Sequence, residues 1–475
     1  MTAQRTVVVD LDGTLIRTDL LIESLFLFLR RHPLRFWQLF VWLLQGKASL
    51  KRHLADAVTP EVWTLPYNEP LVVWLREQRD AGAHLVLATA SDQRYANEVA
   101  AHMAIFDEVL GTKTDNLAAD RKRDALIARY GKQGFEYVGN SRADLAVWEV
   151  ASVAHVATPD IGVLARARTY CCLGQVFDDR AGHSSVLRRA LRLHQWAKNL
   201  LVFVPLLAAH RVTDVALWGQ TILAFLCFGA CASSVYLLND LLDLQDDRRH
   251  RTKRHRPLAA GTFPIAHTLF WIPALLLFAF GAAAFGLPGR FALVLASYYV
   301  LTLLYSLWLK RMVMLDVITL AMLYTVRVIA GATALSMPIS FWILAFCMFI
   351  FLSLAFVKRY TELRDARGKG KRGVTPGRGY QVDDFELLPS LGGAAGYLSV
   401  LVLALYINDS AALALYRHPK WMWAACPLLM FWLSRVWLLA HRGQMHDDPI
   451  VFALRDRTSR WIGLFFVLAF VLAAR

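Results

Sequence analysis

Apolar and polar positions divide this chain of 475 residues into two parts of different character. Residues 1–190 mix charged and apolar positions as a soluble domain does, whereas from Leu200 onward long apolar runs alternate with short polar loops. The runs are long enough to cross a bilayer, although Pro205 is expected to interrupt the first. We expect about nine membrane-spanning segments, near residues 199–210, 217–239, 266–286, 291–308, 315–336, 341–358, 390–407, 422–440 and 460–474.

The N-terminal part is predicted to be an α/β domain. Buried strands are expected at Thr6–Val9 and near 84–88, 137–138 and 153–156, and residues 15–80 are predicted to be helical. Strands that alternate with helices favour a parallel sheet. The predicted organisation is an α/β domain over 1–175, a polar linker over 176–189 and an all-α polytopic membrane domain over 190–475.

Composition and charge strengthen the membrane interpretation. The apolar fraction is 56%, with 15 Trp and 27 Phe, which exceeds the usual share for a soluble protein. The net charge of +15 is concentrated in loops beside the apolar runs, where the positive-inside rule and anionic headgroups explain it better than nucleic acid does. We therefore expect a membrane partner and no nucleic acid, and the oligomeric state is left open.

The distribution of Lys and Arg also predicts an orientation. Basic loops follow the even-numbered spans, which places these loops on the cytoplasmic side. The N-terminus lacks the pattern of a signal peptide, so we expect a multi-pass protein of a bacterial-type inner membrane whose N-terminal domain and active sites face the cytoplasm. The six cysteines follow no metal-binding spacing, so neither disulfides nor zinc are expected.

The first candidate for chemistry is a pair of aspartates that follows the first predicted strand. Three valines lead to Asp10 and Asp12, and Gly13 and Thr14 come next. Two carboxylates on one tight loop can hold Mg²⁺ while one attacks phosphorus and the other transfers a proton. The Thr14 hydroxyl can bond a phosphate oxygen. The alternative is an aspartate pair that merely closes a strand-end turn.

Three further segments follow in the order that this chemistry needs. Thr89 ends the second predicted strand, Lys122 opens a helix, and a polar turn from Asn140 to Asp144 ends the third. With the aspartate pair, these segments resemble the haloacid dehalogenase superfamily of aspartyl phosphatases over roughly residues 5–160.

The resemblance implies a role for each of these side chains. Asp10 would be the nucleophile and Asp12 the general acid and base, with residues 15–80 as a cap over the site. Thr89 and Lys122 would contact phosphate, and Asp144 would lie near Mg²⁺.

The family's fourth motif usually begins Gly-Asp, and this chain has Asn140 at that position. Because the lost charge weakens Mg²⁺ binding, a non-catalytic anchoring or regulatory domain stays open as an alternative. The apolar stretch 24–44 of the cap fits either core packing or contact with the bilayer or the second domain.

A second acidic motif ends the second membrane span. On a helix of 3.6 residues per turn, Asn239, Asp240, Asp243 and Asp247 fall within an arc of about 100°. Carboxylates at a cytoplasmic span end can hold Mg²⁺ and, through it, a diphosphate. A solvated helix end is the alternative. The pattern resembles the UbiA superfamily of intramembrane prenyltransferases, across about residues 190–475.

One branch of this superfamily fits the remaining motifs. Aromatic prenyltransferases carry a second aspartate motif after the sixth span, and this chain has Lys358 and Glu362 there, for which a plain ion pair is the alternative. Together with Trp196-Ala-Lys198-Asn199 before the first span and the segment from Asp448 to Asp456 in the last loop, these residues look like decaprenyl-phosphate phosphoribosyltransferases. That resemblance implies that phosphoribosyl pyrophosphate (PRPP) is the diphosphate donor and polyprenyl phosphate the acceptor.

A site for such a donor needs one acidic metal-binding motif and many cations, because PRPP is highly anionic. The cations expected at cytoplasmic span ends are Lys198, Lys253, Arg256, Lys310 and Lys358. Tyr305 and Asp316 flank the loop between the fourth and fifth spans and are candidate polar site members. Arg327 and Arg435 lie inside spans, where a functional role is the default and structural pairing the alternative.

The sequence therefore predicts two coupled reactions, both with Mg²⁺ as cofactor. The membrane domain would transfer phosphoribose from PRPP to a polyprenyl phosphate and release pyrophosphate, with Mg²⁺ on Asp240, Asp243 and Asp247. The N-terminal domain would then remove the 5-phosphate, which gives a precursor class for arabinofuranosyl donors and hence arabinan synthesis. The alternative for the membrane domain is prenyl transfer from a prenyl diphosphate to an aromatic acceptor.

Overall fold

The computed structural model describes residues 4–112, 117, 119–158, 162–170, 172–178, 182–209, 211, 213–368, 370, 373, 378–409, 416–445 and 448–474, and divides into two compact units. The first comprises Met1–Leu191 with Tyr236–Trp271, and the second Arg192–Val235 with Ile272–Arg475. Cys171, residues 179–181 of the predicted linker, and residues 446–447, which directly precede the last-loop segment, lie outside the described residues.

The first unit contains a parallel sheet, as predicted. Six strands are found among the described residues, in the order β3-β2-β1-β4-β5-β6. They are β1 (Thr6–Val9), β2 (His84–Asp92), β3 (Glu108–Thr112), β4 (Glu136–Gly139), β5 (Val153–Ala157) and β6 (Leu173–Phe177). Every residue of β1 is buried, as expected for a central strand of a sheet covered on both faces. The direction of strand order reverses between β1 and β4: β2 and β3 lie on one side of β1, and β4, β5 and β6 lie on the other. The carboxyl ends of β1 and β4 therefore form a crevice, and ligands bind at such crevices in open α/β sheets.

Helices cover this sheet and build the cap. The cap helices are α1 (Leu20–Arg31), α2 (Trp37–Leu44) and α3 (Lys47–Ala57). They are followed by α4 (Glu69–Asp80), α5 (Gln93–Met103), α6 (Asp120–Tyr130), α7 (Leu145–Trp148), α8 (Val163–Tyr170) and α9 (His183–Ala190). The predicted α/β fold with a helical cap is confirmed.

The apolar stretch of the cap divides between two environments. Leu27 and Phe28 are buried in a small core with Leu50 and Leu54 of α3. Other members are exposed within their unit, namely Leu34, Phe36, Trp37, Phe40 and Leu44. Core packing therefore explains only one face of the stretch.

The membrane part is helical. Its helices are α10 (Val204–Ala208), α11 (Val215–Leu242), α12 (Leu244–Arg249), α13 (Ile265–Gly286), α14 (Gly289–Leu307), α15 (Leu315–Ala334), α16 (Phe341–Gly368), α17 (Leu388–Ile407), α18 (Ala425–His441), α19 (Pro449–Arg455) and α20 (Arg457–Ala474). Among the described residues, eight helical segments are long and apolar enough to cross a membrane. They correspond to the second to ninth predicted spans.

The first predicted span differs from the expectation. Residues Leu193–Phe203 form a 3₁₀ helix, and the short α10 follows it with Pro205 in its first turn. Proline lacks the N–H that would continue an earlier helix, so the break falls where the sequence suggested. The segment still packs closely on α15: a Cβ added to Gly331 would lie 2.1 Å from the carbonyl oxygen of Val202.

This close approach makes Gly331→Ala a test of the packing in the second unit. The added methyl group meets backbone that cannot rotate away, so we expect the free energy of unfolding to fall by about 1–3 kcal/mol. Gly281→Ala is the matched control, because nothing lies within 4 Å of the Cβ that it adds in α13. Thermal unfolding in detergent measures both variants. Equal midpoints for the two variants would contradict the packing described.

Candidate functional site

The aspartate loop of the first unit begins where β1 ends. Asp10 is buried, and its backbone N–H donates to the carbonyl of Val138 in β4 over 3.0 Å, which fixes the loop at the crevice. Gly13 adopts a φ of +76°, and a Cβ there would lie 2.3 Å from Nδ2 of Asn140. Only glycine meets both requirements, so the turn brings the first and fourth predicted motifs together.

Lys122 connects three of the predicted site residues. Its Nζ donates to Oδ1 of Asp10 over 2.6 Å and to Oη of Tyr137 over 3.0 Å. The Tyr137 hydroxyl in turn donates to Oδ1 of Asp144 over 2.8 Å. Both Lys122 and Asp10 are buried, so each requires the other's charge. The structure therefore joins Asp10, Lys122 and Asp144 in one network, and Tyr137 is a member that was not selected from the sequence.

Asp144 also organises its own turn. Its Oδ2 accepts from the backbone N–H of Asn140 and Ser141 over 3.1 and 2.9 Å, and from the Ser141 hydroxyl over 2.9 Å. The Thr14 hydroxyl lies 3.4 Å from Oδ2 of Asp10 and 3.3 Å from Oδ1 of Asn140. Thr14 and Asn140 are thus next to the predicted nucleophile.

Asp12 has a separate set of donors. Its Oδ1 accepts from the backbone N–H of Leu20 over 2.9 Å, and its Oδ2 accepts from the hydroxyls of Ser91 and Thr89 over 2.6 and 3.3 Å. Thr89, predicted to contact phosphate, is thus adjacent to the predicted acid and base. Burial, with the nearby charge of Asp19, raises the pKa of Asp12 to about 6. A group with this pKa can give and take a proton near neutral pH.

A cavity of about 210 Å³ opens between the loop and the cap. Asp10, Asp12, Lys122 and Asp144 line it, with Lys51 of α3 from the cap. Burial raises the pKa of Asp10 to about 7 although Lys122 opposes the shift, and a cation beside the carboxylate would favour its ionised form.

The donors around this cavity fit a hard divalent cation. The carboxylates of Asp10 and Asp144, which line the cavity, and the amide oxygen of Asn140, which is bonded to Thr14 behind that lining, are ligands that Mg²⁺ accepts. Within the described parts of the chain, no group of three His, Cys, Asp or Glu residues is arranged as a metal site. Two carboxylates and an amide are consistent with that finding, and they supply less negative charge than a site with aspartate at position 140.

The second acidic motif lies at the end of α11 and in α12. The backbone N–H of Asp243 donates to the carbonyl of Asn239, and that of Asp247 to the carbonyl of Asp243, both over 2.9 Å. These bonds carry the helical repeat across the junction, so the residues occupy successive turns. Asp240 and Asp247 are buried.

Cations surround these carboxylates. Nη1 of Arg256 lies 3.1 Å from Oδ1 of Asp240 and 2.5 Å from Oδ2 of Asp247, and Nζ of Lys253 lies 3.8 Å from Oδ1 of Asp247. The predicted residues Lys253 and Arg256 are therefore brought onto the acidic motif. Mg²⁺ prefers carboxylate oxygens and phosphate oxyanions prefer guanidinium groups, so this arrangement can exchange its internal ion pairs for a metal–diphosphate ligand.

In the second unit, Asp448 holds two of the predicted cations. Its Oδ2 accepts from Nζ of Lys198 over 2.8 Å, from Nζ of Lys358 over 3.2 Å and from Oη of Tyr324 over 3.0 Å. Burial alone would raise the pKa of the Asp448 carboxyl, but Lys358 and Lys198 outweigh it and hold the pKa well below its usual range. The last-loop motif contained this residue, but its role was not predicted.

The two arginines inside spans differ. Arg327 is buried and donates to Oδ1 of Asn199 over 2.9 Å and to Oη of Tyr298 over 3.1 Å. Both partners are neutral, and no ion pair among the described residues involves Arg327, so its functional role stays a prediction. Arg435 forms two hydrogen bonds with the carboxylate of Asp456, over 2.7 and 3.1 Å, so structural pairing accounts for it.

Glu362 belongs to a polar group that also contains Asp316 and Tyr305. Arg359 pairs with Asp316 over 2.6 Å and also with Glu362. Arg378 donates to Oη of Tyr305 over 3.0 Å and lies 3.8 Å from Glu362. Neither arginine was predicted to be a site residue. Arg359 lies in a helical segment where apolar and charged residues alternate without a pattern that would distinguish it. Lys310 lies in the 3₁₀ turn that follows α14.

Comparison with known proteins assigns the family. The UbiA prenyltransferase family matches residues 200–469, and the chain belongs to this family of integral membrane proteins. The uncharacterized protein y4nM of Sinorhizobium fredii is 36% identical over 467 residues, which cover 98% of this chain and 90% of that protein. Decaprenyl-phosphate phosphoribosyltransferase of Mycolicibacterium smegmatis is 31% identical over 293 residues, 59% of this chain and 91% of that enzyme.

A solved structure matches the other part of the chain. It is a haloacid dehalogenase-like family hydrolase from Streptococcus pneumoniae, with a TM-score of 0.25 and 16% identity, and it covers 37% of this chain and 96% of that chain. For the described residues, the sheet order and the joined motifs at the carboxyl ends of β1, β2 and β4 are the structural basis of the predicted haloacid dehalogenase resemblance.

The Asp448 cluster gives a direct test of its charge. In Asp448→Asn, the amide keeps the N-cap of α19, since asparagine caps helices well, but the buried Lys198 and the partly exposed Lys358 lose their counterion. We expect the free energy of unfolding at pH 7 to fall by about 3–5 kcal/mol. Because the pKa of Asp448 is lowered in the folded protein, this stabilisation is complete at neutral pH and is lost only as pH falls through the folded value.

Thermal unfolding in detergent measures the effect. Glu386→Gln is the control, because the Glu386 side chain is 72% exposed and pairs with the exposed Arg367. Removing such a surface pair should change the stability by less than about 1 kcal/mol. A loss as small in Asp448→Asn as in the control would show that Asp448 does not hold the cluster.

Proposed function

We propose that the membrane part transfers phosphoribose from PRPP to a polyprenyl phosphate and releases pyrophosphate. The observation that carries this proposal is the combination of one acidic motif with cations around it, Asp240 and Asp247 with Arg256. The similarity to a decaprenyl-phosphate phosphoribosyltransferase over 91% of that enzyme supports it. The group of Glu362, Arg359 and Arg378, where an aromatic prenyltransferase would have a second aspartate motif, supports it further.

The donor would bind at the aspartates. These three aspartates are not arranged as a metal site among the described residues, where Arg256 and Lys253 pair with them. With those cations displaced, Asp240, Asp243 and Asp247 would supply oxygen ligands for Mg²⁺, which would withdraw charge from the diphosphate leaving group. Arg256 and Lys253, released from the carboxylates, then bind the diphosphate oxygens. An oxygen of the lipid phosphate attacks the anomeric carbon, the bond from that carbon to pyrophosphate breaks, and the electron pair leaves with pyrophosphate. The attacking oxygen is already ionised, so the step needs no general base.

The acceptor would use the second unit. Lys198 and Lys358 are cations suited to a lipid phosphate, and they are held together by Asp448. An apolar cavity of about 720 Å³ in the same unit is lined by Leu201, Val204, Phe346, Phe470 and other apolar side chains. Its size and chemistry suit part of an isoprenoid chain.

The α/β domain would remove the 5-phosphate from the lipid-linked product. Asp10 attacks phosphorus and forms an aspartyl phosphate, while Asp12 gives its proton to the departing ribose oxygen. Asp12 then takes a proton from the water that hydrolyses the aspartyl phosphate. The contact of Lys122 with Asp10 and the pKa of Asp12 near 6 support these roles. Both active sites would face the cytoplasm, as the basic loops predict.

Two alternatives keep specific support. The family's description as prenyltransferases favours transfer from a prenyl diphosphate to an aromatic acceptor. Asn140 beside Asp10 favours an α/β domain that anchors or regulates without catalysis. Turnover of a prenyl diphosphate without PRPP would establish the first alternative, and an unprocessed lipid product in the wild-type reaction the second.

Asp10→Asn separates the two steps. Purified full-length protein is incubated with PRPP, Mg²⁺ and polyprenyl phosphate, and the lipid products are identified by mass spectrometry. The wild type should give polyprenyl phosphoribose, and the variant should accumulate the same lipid with one more phosphate group, because only the nucleophile is lost.

Matched variants make the result specific. Asp247→Asn should abolish both products, since it removes a ligand of the donor site. Asp124→Asn, at an exposed position in α6, should behave as the wild type. If Asp10→Asn yields the wild-type product at the wild-type rate, the α/β domain does not perform the second step.

A further inference from the structure

The cap helix α1 is joined to α12, the helix that contains Asp247, within the first unit. Glu23 of α1 and Arg248 of α12 form a two-pronged pair, with Nη1–Oε2 at 2.9 Å and Nη2–Oε1 at 2.6 Å. The side chains are only 1% and 3% exposed, respectively. Nε of Arg248 also donates to the carbonyl of Ala259 over 3.1 Å, and the Thr18 hydroxyl donates to Glu23.

Such a pair fixes the orientation of α12 relative to α1. A guanidinium and a carboxylate joined by two parallel bonds permit little rotation, and removal of either partner leaves a buried charge unpaired. The pair lies next to Asp247 along the chain, and the bond from Arg248 to the carbonyl of Ala259 ties the residues that follow Lys253 and Arg256 to the same point. The direction of α12 is therefore set by a residue of the cap.

Arg30 extends the contact to the aspartates. It lies in the last turn of α1, where its Nη2 is 3.8 Å from Oδ1 of Asp243 and also pairs with Asp246. Arg256 pairs with Asp240 and Asp247 at hydrogen-bonding distance, whereas the closer partner of Arg30 is Asp246 and not Asp243. Arg30 thus lies within ion-pair distance of Asp243.

We propose that the cap helix completes the donor site of the membrane transferase: Arg30 binds the diphosphate of the donor, and Glu23 is a positioning residue. This inference rests on the proposed function of the aspartates. If Asp243 bound Mg²⁺, the guanidinium of Arg30, which lies 3.8 Å from that carboxylate, would be close enough to contact the phosphate oxygens of the donor.

The contact of Arg30 with the aspartates requires the N-terminal part of the chain, which lies outside the family match. The alignment with decaprenyl-phosphate phosphoribosyltransferase covers 91% of that enzyme but 59% of this chain. The family match begins at residue 200, far beyond α1. A contribution from Arg30 is therefore not a property that the family match assigns to this protein.

Arg30→Gln in the full-length protein tests the binding role. The lost charge-assisted contact should raise the KM for PRPP roughly tenfold and leave the KM for polyprenyl phosphate unchanged. Arg31→Gln is the matched control, because Arg31 is the exposed neighbour on the same helix and forms no ion pair within the described residues. Equal KM values for PRPP in the two variants would overturn the inference.

Glu23→Gln tests the positioning role. Its KM for PRPP should rise severalfold while the KM for polyprenyl phosphate stays constant. A role in stability alone would lower the active fraction, and hence kcat, without changing KM; that result would overturn the assignment to Glu23.

Binding of pyrophosphate separates this inference from the proposed function. Calorimetry with Mn²⁺ and inorganic pyrophosphate is done on full-length Asp10→Asn, which weakens the metal site of the α/β domain, with and without Arg30→Gln. A tenfold weaker affinity with Arg30→Gln supports the inference even if PRPP is not a substrate of the wild type. An unchanged affinity refutes it even if PRPP is turned over.

Discussion

A pair formed by a largely buried carboxylate and a cation shapes each candidate site of the protein. Asp10 is paired with Lys122, and Asp448 with Lys198 and Lys358. Asp240 and Asp247 share Arg256. Burying either charge alone would cost several kcal/mol, so each pair constrains the elements that carry its members. The same groups are those that would bind phosphate and Mg²⁺, which means that the protein's internal ion pairs occupy the places of its proposed ligands.

This arrangement suggests how substrate and stability are related. An ion pair that holds an empty site together can be exchanged for a metal on the carboxylate and an oxyanion on the cation, with little change in the net charge buried. Arg256 and the aspartates can make that exchange because Arg256 is partly exposed. Glu23 and Arg248 cannot exchange their partners in this way, because both side chains are buried and bonded to each other. This pair therefore holds α1 and α12 in a fixed orientation.

Much of this organisation could be predicted from the sequence, because it depends on local patterns. Three valines before Asp10 specify a buried strand, and apolar runs of membrane length specify the spans. Three features depended on tertiary structure instead. Asp448 meets Lys198 across 250 positions, and Arg30 meets Asp246 across 216, so no spacing rule relates them. Thr89 was predicted to contact phosphate, which stays a prediction; its hydrogen bond to Asp12 was not foreseen, because it depends on β2 ending opposite the aspartate loop.

The central claim is that the acidic motif at the end of α11 binds the diphosphate of a sugar and not that of an isoprenoid. The most direct measurement is calorimetric titration of full-length Asp10→Asn with PRPP and with geranylgeranyl diphosphate, each in the presence of Mg²⁺, repeated with Asp247→Asn added. We expect PRPP to bind, the prenyl diphosphate not to compete with it, and Asp247→Asn to abolish the binding. Binding of the prenyl diphosphate that depends on Asp247, without binding of PRPP, would contradict the account.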